Sequence, residues 1–180
     1  MNGKRLFVAI ELTESITRLL VGLNPQLPGV RWLSPDQMHL TISFLGNVGP
    51  SEETKLREKL EAIHWKPFFL PILGLGTFPA QGWPKIVWIG VGPAHPHLFQ
   101  LYKRVQEAVI GSGLEPDLRP WHPHVTLARC QNVSAQTLRP FLKKHADYEA
   151  GMIHVETFCL NSSKLTPAGS VYTHELVVRF

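Results

Sequence analysis

The apolar positions along the chain change period several times, and each change marks an element. RLFVAIEL (5–12) is a run of aromatic and β-branched residues that predicts a buried strand. Thr13 then stands where it can cap a short helix through Ile16, Leu19 and Leu20 to about Leu23, ended by Pro25 and Pro28. VRWLS (30–34) and HLTISFLG (39–46) predict two more strands. SEETKLREKLEAIH (51–64) switches to helical spacing: Leu56, Leu60 and Ile63 share a face, Ser51 is the predicted N-cap, and Glu52 and Glu53 suit the positive helix end.

The second half repeats the theme. FFLPILGLGTF (68–78) and KIVWIGVG (85–92) predict strands. HLFQLYKRVQEAVI (97–110) predicts a helix with Leu98, Leu101, Val105 and Ala108 or Val109 inward, stopped by Gly111 and Gly113. HVTLARC (124–130) is a predicted strand, and SAQTLRPFLKKH (134–145) a shorter helix interrupted at Pro140. IHVETFCLNSS (153–163) and VYTHELVVRF (171–180) alternate like a closing hairpin. Many strand pairs have links too short for a parallel crossover, so the pattern favours an α+β fold of mostly antiparallel sheet.

Two of these strands carry the same phrase. His39-Leu40-Thr41 and His124-Val125-Thr126 lie 85 residues apart, nearly half the chain. A duplicated lobe related by a pseudo-twofold axis is the simplest source of that repeat. Side chains alternate along a strand. Strict alternation therefore puts His39, Thr41 and Ser43 on one face, with Leu40, Ile42 and Phe44 on the other. It likewise puts His124, Thr126 and Ala128 opposite Val125 and Leu127. Two such lobes meeting across their polar faces would enclose a cleft with two imidazoles and two hydroxyls.

Composition narrows the class. A chain of 180 residues, 44% hydrophobic and 18% charged, suits one globular domain over 1–180. No apolar run is long enough for a membrane helix, and the first residues read as a strand rather than a signal peptide. Cys130 and Cys159 are far apart, so a reducing cytoplasm is the expected compartment. The net charge of +4 comes from 9 basic and 7 acidic residues in each half, which gives no basic tail. A mild excess of this kind suits an anionic ligand.

The paired phrases suit phosphoryl chemistry. Imidazole titrates near neutrality, so one ring can take a proton while the other delivers one. Threonine hydroxyls can donate to non-bridging phosphate oxygens as charge grows there. A metal reading competes, because His95-Pro96-His97 and His122-Pro123-His124 both have chelating His-x-His spacing. No acidic cluster or HExxH supports it, and His95 and His97 begin a helix, where the dipole disfavours a cation. Gly74-Leu75-Gly76 lacks the third glycine of a dinucleotide fingerprint.

With VRWLSPDQMHLTISFLG and RPWHPHVTLARC in view, the chain resembles the 2H phosphoesterase superfamily. It is most similar there to the LigT-like RNA 2′,3′-cyclic phosphodiesterases, also called 2′-5′ RNA ligases. RLFVAIEL, KIVWIGVG and FCLNSSKLTPAGSVY extend the resemblance over nearly the whole chain. The resemblance implies a bilobal fold with outer helices, a central cleft and no metal or other cofactor. It implies hydrolysis of RNA 2′,3′-cyclic phosphate ends to a 2′-phosphate, with a reversible 2′-5′ ligase side activity. Carried over by motif, His39 is the proton donor, His124 the proton acceptor, and Thr41 and Thr126 bind the phosphate. Arg129 matches a phosphate-contacting position, although strict alternation places it on the face opposite His124. Phe7, Trp32 and Tyr172 are candidates for stacking on a nucleobase. The implied partners are RNA ends or 2′,3′-cyclic nucleotides, tRNA fragments among them, acted on by a cytoplasmic monomer with no membrane partner. A non-catalytic nucleotide-binding module using the same cleft is the alternative.

Overall fold

In the computed structural model, which describes residues 3–92, 95–167 and 169–180, the strands join one nine-stranded sheet flanked by four α-helices. The order along the chain is β1 (Lys4–Glu11), α1 (Glu14–Val21), β2 (Val30–Trp32), a 3-10 turn (Pro35–Gln37), β3 (His39–Val48), α2 (Pro50–Glu61) and β4 (Phe68–Phe78). There follow β5 (Ile86–Gly90), α3 (Pro96–Gly111), β6 (His124–Cys130), α4 (Ala135–Lys144), β7 (Glu149–Val155), β8 (Thr157–Thr166) and β9 (Gly169–Arg179). None of the described helices is long and apolar enough to cross a membrane.

The strands run β7-β4-β5-β6-β3-β1-β8-β9, with β2 added to β6 off that path. The order maps onto itself when β6 exchanges with β3, β5 with β1, β4 with β8 and β7 with β9. A pseudo-twofold axis therefore passes between β3 and β6, at their register pair Leu40 and Val125. Two of the helices cross between the halves of the sheet. α1 follows β1 but packs on β7 of the other lobe, and α3 follows β5 but packs on β3. Neither lobe is thus a continuous half of the chain.

One main hydrophobic cluster runs behind the sheet. Val8, Ile10, Leu40, Val125 and Ile89 from the strands meet Leu56 and Leu60 of α2 and Leu98, Leu101 and Val105 of α3. Burying each such side chain contributes about 1.5–3 kcal/mol. α4 has its own smaller cluster, in which Leu138 and Phe141 cover Val87 and Ala128.

Three expectations need correction. The cap of α2 is Gly49, with Pro50 at the first helical position, where a missing N–H costs nothing. Pro140 does not interrupt α4, because it and Gln136 lie on the exposed face, where water can reach the carbonyl that loses its partner. The stretch 153–163 is not one strand. β7 pairs with β4, the chain breaks at Glu156, and β8 then pairs with β1 and β9. Alternation at Ile153 and Val155 is lost at Glu156 and Thr157, and Phe158, Cys159 and Leu160 are all buried, so the change of partner falls where the period breaks.

Candidate active site

Leu40 and Val125 are both fully buried and face the main core. Their neighbours His39, Thr41, His124 and Thr126 therefore stand on the other face, on two central antiparallel strands. The repeated phrase is brought side by side about the pseudo-twofold axis.

Each of these strands bulges at the same place. In β3, Ala9 pairs with Thr41 and Val8 with Ser43, so Ile42 is an extra residue. In β6, Trp88 pairs with Thr126 and Val87 with Ala128, so Leu127 is extra. A bulge inverts the alternation beyond it. Ile42 and Ser43 are both buried, as are Leu127 and Ala128. Phe44 and Arg129 are returned to the cleft face instead. This corrects the strict-alternation reading: Ser43 and Ala128 leave the polar face, while Phe44 joins it. It also removes the objection to Arg129.

Two cavities flank the paired phrases. The larger, ≈ 530 Å³, lies beside His39 and is lined by Arg5, Phe7, Arg31, Phe44, Arg119, Arg129 and Tyr172 among others. The smaller, ≈ 300 Å³, lies beside His124 and is lined by Thr41, Phe78, Tyr102, Trp121 and His122 among others. Phe44 and Arg119 border both. The smaller wall is rigidly built. Trp121 stacks on Tyr102 at 4.2 Å, and its indole N–H donates to the Thr41 carbonyl at 3.1 Å. Trp88 lies across Gly76, where a Cβ would come within 2.3 Å of its ring, so this glycine serves packing.

The sequence candidates occupy different places. Phe7 stacks on the His39 ring at 4.8 Å, and Tyr172 meets it edge-on at 5.1 Å. Trp32 does not reach the cleft. It sits opposite Ala128, its Nε1–H donates to the Leu20 carbonyl at 3.1 Å, and its ring meets Phe141 of α4 at 5.9 Å. Thr41 borders the smaller cavity, and Thr126 stands beside Trp88 on the His124 face. Arg5, Arg31 and Arg119 were not singled out in sequence. Arg5 could have been, since it shares a strand face with Phe7 by simple alternation.

Burial dominates the protonation of both rings. His39 is pushed down to about 4, chiefly by desolvation, against a backbone hydrogen bond to Gln37 and with a smaller contribution from His124. His124 is also lowered, again chiefly by desolvation. Its Nδ1 lies 2.6 Å from the His122 carbonyl, which accepts that N–H and leaves the Nε2 lone pair free. Both rings are therefore neutral at pH 7 in the free protein, and each can accept a proton.

His95 and His97 stack on Phe68 at 5.0 and 6.0 Å rather than turning to a common point. Among the described residues, Glu11, Cys159 and His174 bring ligand atoms within 4.8 Å of one another. The Cys159 thiol there is raised to about 11, mainly by burial, and His174 hydrogen-bonds Glu11.

The family model described as LigT like phosphoesterase matches twice, over residues 7–88 and 89–172. An RNA 2′,3′-cyclic phosphodiesterase of Archaeoglobus fulgidus is 31% identical over 171 residues, covering 93% of this chain and 96% of its own. One of Aquifex aeolicus is 31% identical over 180 residues, covering 96% and 95%. Among solved structures, apo LigT of Escherichia coli superposes with a TM-score of 0.81 at 25% identity, covering 99% of this chain and 98% of that one. The same protein in complex with 3′-AMP gives 0.81 at 25% identity, with the same coverage.

Proposed function

The chain belongs to the LigT-like phosphoesterase family, and from that premise we propose that it hydrolyses RNA 2′,3′-cyclic phosphate ends by two-histidine acid–base catalysis. The observation that carries the mechanism is the juxtaposition of the two His-x-Thr phrases across one axis, with a cavity on either side. The larger, arginine-rich cavity beside His39 suits the nucleotide. The attacking water then approaches through the smaller cavity, beside His124.

In this reading Nε2 of His124 takes a proton from water as its oxygen attacks phosphorus. The O3′–P bond breaks on the opposite side, and His39 delivers a proton to O3′. The products are a 2′-phosphate and a free 3′-hydroxyl. Thr41 and Thr126 donate to the non-bridging oxygens, and Arg129 balances their charge. No metal enters any step. An RNA 5′-hydroxyl in place of water gives a 2′-5′ bond by the same proton transfers, which accounts for a ligase side activity.

The test is incubation with a 2′,3′-cyclic-ended oligonucleotide in EDTA, with the product identified by its phosphate position. A 2′-phosphate is expected. A 3′-phosphate would mean that the O2′–P bond breaks instead. Loss of all turnover in EDTA would sink the metal-independent reading, and binding without turnover under any condition would leave a nucleotide-binding module.

The pH profile checks that the reaction uses one protonated and one neutral ring. Catalysis needs one protonated and one neutral ring, and kcat/KM reports the free protein. One ring is held at about 4 and the other below its ordinary 6.5, so the singly protonated pair is depleted as pH rises through neutrality. We expect kcat/KM to peak below pH 6.5 and fall about tenfold per unit above the upper apparent pKa. The phosphodiester anion favours protonated imidazole, so the kcat profile is displaced to higher pH. A kcat/KM that is flat from pH 6 to 8 would contradict acid–base catalysis by this pair.

A further inference from the structure

We propose, resting on that reading, that Arg5 and Arg31 bind the RNA backbone on the 5′ side of the cyclic end, so the substrate is an oligonucleotide rather than a 2′,3′-cyclic mononucleotide. The observation comes from the β2–β6 ladder. Arg31 stands directly opposite Arg129, and both side chains are exposed in the larger cavity. Like charges in facing positions destabilise a sheet. No ion pair relieves them: Arg5, Arg31 and Arg129 are absent from the salt bridges among the described residues. The cavity lining carries no acidic side chain. A polyanion is the ligand that turns this repulsion into attraction.

The arginines outnumber the charge of a cyclic mononucleotide, which bears one phosphodiester anion. Arg129 continues the strand of His124 and Thr126 and is assigned to that anion. Arg119 is held by Asp117 at 2.5 Å. Arg5 and Arg31 remain, on the wall beside His39, where the ribose that loses its O3′–P bond must sit. From that ribose the chain can continue only through its 5′ oxygen, so the next phosphate enters the same cavity.

Arg31 is also positioned by its surroundings. The start of β9 lies beside it: a Cβ on Gly169 would lie 3.4 Å from the Arg31 guanidinium, and Gln37 donates to the Ser170 carbonyl at 3.0 Å. Arg5 projects from β1 on the same face as Phe7, which stacks on His39. The two guanidinia thus flank the cavity from different strands, as a backbone track requires.

The experiment compares kcat/KM on adenosine 2′,3′-cyclic phosphate with that on a trinucleotide bearing the same end. At low salt the trinucleotide is expected to be preferred by about tenfold or more per guanidinium engaged. Arg5→Gln and Arg31→Gln should each reduce that preference, while Arg31→Lys should retain part of it. The slope of log kcat/KM against log salt for the trinucleotide should flatten by about 0.7 per arginine removed. A wild-type ratio near one would overturn the proposal. So would variants that lower both substrates in equal proportion. If neither substrate turned over, the proposed reaction would fail. Anisotropy binding of a fluorescent RNA trinucleotide to the same variants would still decide the track: weaker binding supports it and unchanged binding overturns it.

Discussion

His39→Ala and His124→Ala should each lower kcat on a 2′,3′-cyclic RNA end by about 10²–10⁴-fold, the usual range for a positioned acid or base. The effect belongs in kcat, because neither ring is needed to hold the arginine-lined wall. The two losses should not add: without one proton transfer the other has little left to contribute, so the double variant should be nearly as active as the slower single one. Folding is a fair concern for His39, which is packed between Phe7 and Tyr172. His39→Asn keeps a polar side chain of similar reach and lacks a titratable nitrogen, so it should be as slow as alanine while unfolding near the wild-type temperature. Either histidine variant retaining more than a tenth of the wild-type rate would defeat the two-histidine mechanism.

Thr41→Val and Thr126→Val should each cost about 10²–10³-fold in kcat, comparable to removing one donor from an oxyanion site. Valine keeps the β-branched shape that suits a strand, so the change removes a hydroxyl without disturbing the ladder. Transition-state charge grows on the non-bridging oxygens, so KM should move far less than kcat. Serine at either position should recover much of the loss, because it restores the donor. If the valine variants stayed within twofold of wild type, both threonines would be strand residues and nothing more.

The site was partly legible beforehand because its chemistry is carried by short local phrases. His39, Thr41, His124 and Thr126 are separated by one residue within each pair, and alternation over so short a span is reliable. Phe44, Ser43 and Ala128 were assigned to the wrong faces because a bulge intervenes at Ile42 and at Leu127. Bulges depend on the neighbouring strand, through the register shifts at Val8/Ala9 and Val87/Trp88, and apolar residues such as Ile42 and Leu127 give no local sign of them. Trp32 failed as a stacking candidate for a related reason. Its face is set by its pairing with Ala128, beyond the bulge.

Periodicity and punctuation determine the elements of this protein. Hydrophobic spacing marks the helices over Leu56–Leu60 and Leu98–Val109, and the strand cores of β1, β3, β4, β5 and β6, because burial demands one apolar face from each. The sequence also contains the doubled His-x-Thr. It does not contain the partner of each strand. That β7 joins β4 while β8 joins β1, that α1 and α3 exchange lobes, and that Arg31 faces Arg129 are matters of long-range pairing. Such pairings are chosen by the joint burial of both lobes, and no local window of residues records that choice.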